Sequence, residues 1–205
     1  MVDIVEAKFL TSAPNIKLSP ENEYQNEVVF MARSNVGKSS LLNSLTNHKN
    51  LAKVSATPGK TRLINYFDVT FLDRDNGAKD YANFVDLPGF GYARVSKSIK
   101  KDWEKNLTDF IALRKNVKVF VHLVDCRHPN LEIDNSVSNY LLECANESQV
   151  ILRVFTKVDK LNQKEQGALL RDYPGAIMIS NSKKRGIDKL RNIIHDILFE
   201  DNIDE

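Results

Sequence analysis

Cysteine is scarce in this sequence. Cys126 and Cys144 are the only two among 205 residues, and neither belongs to a Cys-x-x-Cys pair. Neither a disulfide framework nor a zinc knuckle is expected, and a reducing cytosol is the compartment that fits. Long apolar runs are missing as well. No stretch approaches the ~18–20 consecutive apolar residues that a membrane span needs. The start, Met1-Val2-Asp3-Ile4-Val5-Glu6, has no basic segment followed by an apolar one, so no secretory signal is read. Val2 stands where myristoylation needs glycine, and no C-terminal cysteine offers itself for prenylation, so no membrane anchor is expected. Excess charge is small too. Lys and Arg number 29 against 27 Asp and Glu, a net +2 that does not announce a nucleic-acid binder by itself.

What is there is an ordinary globular composition, 42% hydrophobic and 27% charged, which excludes a disordered or collagen-like chain. At roughly 150 residues per domain the length makes one domain. Residues 1–26, with Pro14 and Pro20, are expected to be a lead-in packed on a domain at 27–199, and the acidic residues 200–205 a frayed tail. Val28-Val29-Phe30-Met31 predicts a buried strand, followed by a small-residue loop and a helix marked by Leu41, Leu42 and Leu45. Residues 48–61 lack periodicity and contain Thr57-Pro58-Gly59, so a long loop is expected there. The strand-like segments 63–71 and 81–85 flank the turn signal Asn76-Gly77 and predict an antiparallel hairpin. A charged helix at 97–114 comes next. Strands at 117–124, 150–155 and 176–179 then alternate with helices at 133–144, 163–171 and 187–198. The alternation predicts an α/β three-layer fold with a mostly parallel six-stranded sheet and one antiparallel edge hairpin.

Between the first parallel strand and the first helix lies Ala32-Arg33-Ser34-Asn35-Val36-Gly37-Lys38-Ser39. Two small residues flanking four, then Lys and Ser, is the phosphate-loop pattern. Successive N–H groups in such a loop form a concave nest, and the helix start adds positive dipole. Lys38 can reach the β- and γ-phosphates, and the Ser39 hydroxyl, followed by Ser40, can ligate Mg²⁺. Ala32 departs from the usual glycine by a single methyl, with which binding is expected to survive.

Three further segments favour guanine over adenine. Asp86-Leu87-Pro88-Gly89 ends a hairpin strand; its carboxylate can hold Mg²⁺ through water, and the Gly89 N–H can sense a γ-phosphate. Thr156-Lys157-Val158-Asp159 follows an apolar strand. An ionised Asp159 accepts from guanine N1–H and N2–H₂, a donor pair adenine lacks, while Lys157 can lie along the base. Ser180-Asn181-Ser182 follows the last strand, where its N–H groups can meet guanine O6. In the long loop, Gly59, Lys60, Thr61, Arg62 and Leu63 are expected to border the nucleotide. Thr61 is the favoured second hydroxyl for Mg²⁺, with Thr57 its rival.

With these residues the sequence resembles the EngB (YihA/YsxC) group of bacterial ribosome-biogenesis GTPases, in the Era-like branch of P-loop GTPases. Carrying the resemblance are Phe9-Leu10-Thr11-Ser12-Ala13-Pro14, Arg33 to Leu41, Thr57 to Thr61, Asp86 to Ala93, Val124-Asp125-Cys126-Arg127-His128 and Thr156 to Leu161. It implies GTP and GDP binding with Mg²⁺, slow hydrolysis involving Lys38, Thr61 and Gly89, a role in large ribosomal subunit assembly, and a link to cell division and septation. A Ras-type enzyme has Gln after the loop glycine to orient the attacking water, and here that residue is Phe90. Asn35 suggests an alternative source of charge stabilisation, since Asn at this position holds K⁺ in related Era-like GTPases. The plainer reading is that Asn35 stabilises the loop turn.

Two basic clusters, Arg94, Lys97, Lys100, Lys101 and Lys105, then Lys183, Lys184, Arg185, Lys189 and Arg191, suit either rRNA phosphates or a solvated helix face. Trp103 is read as a core anchor and His128 as a packing residue. The reading is of a cytoplasmic monomer acting as a switch on the large ribosomal subunit or its precursor. Its rivals are a signalling GTPase with protein effectors and a non-hydrolysing nucleotide-binding scaffold.

Overall fold

The computed structural model describes residues 1–22, 24, 26–52, 63–90 and 97–199, with the side chains of 97–104 set aside. Expectations for Thr57, Pro58, Gly59, Lys60, Thr61, Arg62, Arg94 and the tail 200–205 lie outside the described residues. So do those for the side chains of Lys97, Lys100, Lys101 and Trp103.

Among the described residues seven strands form one sheet in the order β1-β3-β4-β2-β5-β6-β7. They are β1 (Val2–Ala13), β2 (Glu27–Ala32), β3 (Ile64–Asp73), β4 (Lys79–Asp86), β5 (Val117–Asp125), β6 (Val150–Thr156) and β7 (Ile177–Met178). The helices are α1 (Lys38–Leu45), α2 (Lys97–Leu113), α3 (Glu132–Cys144), α4 (Gln163–Asp172) and α5 (Ile187–Phe199). The central strand β2 pairs in parallel with β4 and β5 and is buried at every position, which is why its sequence is a continuous apolar run rather than an alternation. One core, from Phe30 and Phe84 to Leu42 and Ile194, lies beneath α1 and α5. A second, around Met31, Phe90, Phe110 and Leu141, lies beneath α2 and α3. The result is the expected three-layer α/β fold. Among the described residues no helix is long and apolar enough to cross a membrane.

The sheet has one strand more than six, and the hairpin is not its edge. Residues 2–13 of the expected lead-in pair antiparallel with β3 and cover its outer side. Pro14 and Pro20, which made the stretch look irregular, both follow the strand. Arg191 of α5, only 7% exposed, fastens this strand: its guanidinium donates to Val2 O at 3.4 Å and pairs with Asp3 at 3.1 Å. All the parallel strands point their carboxyl ends the same way. The loops after β2, β4, β5, β6 and β7 therefore converge at one end of the sheet, where an α/β fold binds ligands.

Candidate nucleotide-binding site

The loop after β2 turns sharply at two left-handed residues, Asn35 (φ 65°) and Gly37 (φ 112°), before α1 begins at Lys38. Such alternation gathers N–H groups on one side into an anion nest. Ala32 is fully buried, its methyl in the core with Val36 and Leu41, so the departure from glycine is absorbed inside the protein.

Three consecutive carbonyls of this loop are held from the side of the loops after β6 and β7. Asn35 O accepts from Lys157 Nζ at 2.8 Å, Val36 O from Thr156 Oγ1 at 2.8 Å, and Gly37 O from Asn181 Nδ2 at 3.3 Å. Of the N–H groups that alternate with them, that of Val36 donates to Arg33 O at 3.4 Å within the loop, while those of Gly37 and Lys38 lie at the start of α1, where a helix receives an anion. The other side of the loop is paired with the chain after β4. Phe90 N–H donates to Ala32 O at 3.1 Å, and Ser34 N–H donates to Phe90 O at 3.3 Å. Gly89 is thereby carried to the edge of the phosphate loop.

Lys38 and Asp86 form an ion pair across the cleft, both side chains nearly enclosed. Burial lowers the Lys38 ammonium to about 7, while a facing carboxylate favours the charged form. Asp86 also accepts from Asn65 Nδ2 at 3.4 Å. A cation and an anion poised together suit a ligand that brings both phosphate and metal.

In the loop after β6, Lys157 adopts φ 61° and Asp159 sits in the 3-10 turn that follows. The Ser180 hydroxyl donates to Asp159 Oδ1 at 2.5 Å and holds that carboxyl below its usual value. Asp159 is thus ionised and purely an acceptor, as a reader of guanine N–H groups must be. Ser182 Oγ lies 3.1 Å from Ser180 Oγ. The loop closes through paired Ser180 and Arg185 main chains and returns at Gly186 (φ 76°).

Ala32 to Ser40, Asp86 to Gly89, Thr156 to Asp159 and Ser180 to Ser182 are therefore brought together, while Leu63 stands exposed at the start of β3. Phe90 is 1% exposed and packs 5.9 Å from the His122 ring, so its side chain points into the core and away from any attacking water. His128, expected to pack, is exposed, and its N–H closes the turn after β5 on Asp125 O at 2.9 Å. Arg191, expected among the basic contacts, is consumed by β1 and Leu45 O.

Asp125 stands in a segment that the sequence alone ties to no chemical role. At the end of β5 it accepts from Lys157 Nζ at 2.9 Å and from Arg127 Nη2 at 2.7 Å. Burial would raise its carboxyl, but these partners outweigh burial and hold it well below the usual range. The signal available was an acidic residue ending a strand next to the lysine loop.

The site fits a nucleotide on its own geometry. Ser34 Oγ and Asn181 Oδ1 are buried without a hydrogen-bond partner among the described residues. The nest, the Lys38–Asp86 pair and the Ser39 hydroxyl at the start of α1 are the donor set that a magnesium-bound phosphate chain calls for.

A family model described as 50S ribosome-binding GTPase matches residues 27–157. The chain is similar to the probable GTP-binding protein EngB of Aliarcobacter butzleri, 54% identical over 96% of this chain and 98% of that one. To the one from Helicobacter hepaticus it is 44% identical over 97% and 86%. Among solved structures it resembles a probable GTP-binding protein engB with a TM-score of 0.64 and 25% identity, over 85% of this chain and all of that one. It also resembles Era in complex with MgGDPNP and nucleotides 1506-1542 of 16S ribosomal RNA, with a TM-score of 0.63 and 21% identity over 87% and 58%, a likeness of fold. Residues that converge on an anion nest beside an ionised carboxylate, on a chain this close to its relatives, lead to one conclusion: the chain belongs to the EngB group of GTP-binding proteins, within the 50S ribosome-binding GTPase family.

Proposed function

We propose that this protein binds GTP and GDP through Ala32–Ser40, Asp86–Gly89, Thr156–Asp159 and Ser180–Ser182, hydrolyses GTP slowly, and acts as a nucleotide-dependent switch in assembly of the large ribosomal subunit. The observation that carries the nucleotide part is the triple tie of Lys157, Thr156 and Asn181 to carbonyls 35–37, which makes base reader and phosphate nest one unit. Mg²⁺, held by the Ser39 and Thr61 hydroxyls, would neutralise phosphate charge. Lys38 leaves Asp86 for the phosphates, and Gly89 N–H meets the terminal one. The triphosphate orders the Thr61 and Asp86–Gly89 loops, and its hydrolysis releases them.

Slow turnover follows from Phe90, whose buried ring leaves no side chain there to orient water. K⁺ beside Asn35 would supply the missing positive charge. Phosphate release is then faster in K⁺ than in matched Na⁺ buffer, and equal rates would discard the K⁺ step.

The ribosomal part is supported by the description of the matching family and by the exposed Lys105, Lys183, Lys184, Arg185 and Lys189. These face solvent as a backbone-phosphate contact requires. The protein works as a cytoplasmic monomer on the subunit or its precursor, and its loss impairs cell division and septation. Co-sedimentation with isolated large subunits across a salt series tests this. Salt-sensitive pelleting with a non-hydrolysable GTP analogue, weaker with GDP and lost in Asp159→Ala, is expected. Pelleting in neither state would overturn the ribosomal reading and leave nucleotide binding standing.

A further inference from the structure

Arg33 belongs to the loop that cradles the phosphates, yet its side chain turns toward α3. Its Nε donates to Asp134 Oδ2 at 2.8 Å, and Asp134 is fully buried in the first turn of that helix. Asp134 Oδ1 has no hydrogen-bond partner among the described residues. His122 Nε2 faces it at 3.9 Å, likewise without one. The imidazole is held on its other side by Ser138 Oγ, 3.0 Å from Nδ1, and the tilted Phe90 ring packs with its centroid 5.9 Å away.

Burial holds His122 below its ordinary range. Asp134 opposes that shift, and the Arg153 and Arg33 guanidiniums reinforce it. The ring is therefore neutral, and Arg33 is the cation that answers the Asp134 charge. A buried carboxylate left without its cation is strongly destabilised, so this pair fixes where Arg33 can be.

The consequence differs for the two ends of the phosphate loop. Residues 35–37 are held by Lys157, Thr156 and Asn181, with a longer main-chain tie from Val36 N–H to Arg33 O at 3.4 Å. Residues 33–34 are bridged to Phe90, the residue after Gly89. We propose that Asp134 is a positioning residue for the triphosphate state: by holding Arg33 it sets the spacing between the phosphate loop and the Gly89 loop that meets the terminal phosphate. This rests on the nucleotide reading above, because it assumes that 32–39 hold the phosphates.

The test is the affinity of full-length Asp134→Asn, which keeps shape and loses charge, for a non-hydrolysable GTP analogue and for GDP. The analogue is expected to bind about tenfold more weakly, while GDP stays within about threefold. Arg33→Gln reads the same ratio should Asp134→Asn fail to fold. The double variant should bind the analogue no more weakly than Arg33→Gln alone, because one interaction cannot be lost twice. Equal losses for both nucleotides, additive losses in the double variant, or a lower Tm with both affinities intact would each overturn the proposal. Lys38→Ala separates the two readings. If it binds GDP as the parent does, the phosphate-loop assignment itself fails. If it loses GDP while Asp134→Asn leaves the ratio unchanged, only the positioning role fails.

Discussion

The two halves of the phosphate loop are anchored by different means. Residues 35–37 are held through main-chain carbonyls, by one ammonium, one hydroxyl and one amide from the last residue of β6 and the loops after β6 and β7. Residues 33–34 are held through a side chain, by the buried Arg33–Asp134 pair, and through main-chain pairing with Phe90. The first arrangement aims the N–H groups and links them to the base. The second links the loop to the chain expected to sense the terminal phosphate. A perturbation on the base side should therefore weaken both nucleotides alike, whereas one on the sensing side should separate them.

The largest disruption of the base side comes from Gly186→Ala. A Cβ at Gly186 would sit 2.3 Å from Met178 O, and φ is +76°. Strand β7 or the 180–185 loop must move, taking Asn181 and the Ser180–Asp159 contact with it. The cost is about 3 kcal/mol or more, a fall in Tm of roughly 6–12 °C for a chain of this size. Nucleotide selectivity between GTP and GDP should hold in whatever fraction stays folded. A Tm within a degree of the parent, read by differential scanning calorimetry, would show that the return of the loop yields cheaply.

Asp125→Asn comes next and has a pH signature. The folded-state pKa of Asp125 lies below its unfolded value of 3.8, so its contribution to stability is present above about pH 4 and lost as pH falls toward the folded value. Arg127, which grips both carboxylate oxygens, and Lys157 supply it together, the share of Arg127 reduced by water because that side chain is nearly half exposed. Denaturant unfolding at stepped pH should show parent and variant differing at neutral pH and converging in acid. At neutral pH the variant should bind both nucleotides about tenfold more weakly, because Lys157 loses the charged group that orients it. A gap that persists unchanged into acid would mean the carboxylate charge is not what matters.

Most of this fold is legible in the sequence because its central parallel strands are largely buried and read as apolar-rich runs: 28–31 without a break, 117–124 interrupted by Lys118 and His122, and 150–155 interrupted by Arg153. Strand β1 is not legible for the opposite reason. It lies at the sheet edge and carries irregularities at Ile4/Glu6 and Phe9/Thr11, so the alternation that marks a half-buried strand slips twice within twelve residues. The site divides in the same way. Loops whose chemistry lies in local spacing, such as Gly37-Lys38-Ser39 or Lys157-Val158-Asp159, can be read directly. Asp134 and Asp125 cannot, since each acts on a partner that only the fold brings near, 101 residues away for Arg33 and 32 for Lys157. Arg191 misleads for a related reason: its neighbours Lys189 and Arg185 are exposed, but the helix turns it inward onto β1.

The smallest expected effect sharpens the contrast most. Asn181 Nδ2 reaches Gly37 O at 3.3 Å, the longest of the three base-side ties, and the partner carbonyl still accepts from Leu41 N–H at 2.9 Å when the amide is removed. Asn181→Ala should therefore weaken GTP analogue and GDP binding by about threefold each, at the low end of a neutral hydrogen bond. Thr156→Val is the measure beside it. It removes a buried hydroxyl bonded at 2.8 Å to Val36 O and leaves that carbonyl with an apolar neighbour, so its loss should be several times larger at nearly constant volume. Titration calorimetry with both nucleotides reads the two variants on one scale. If base-side ties only aim the loop, the analogue-to-GDP ratio stays fixed in both while the absolute affinities step down in that order. A ratio that moved with Asn181→Ala would mean that the base side also reports on the terminal phosphate, and the division of the loop into an aiming half and a sensing half would be wrong.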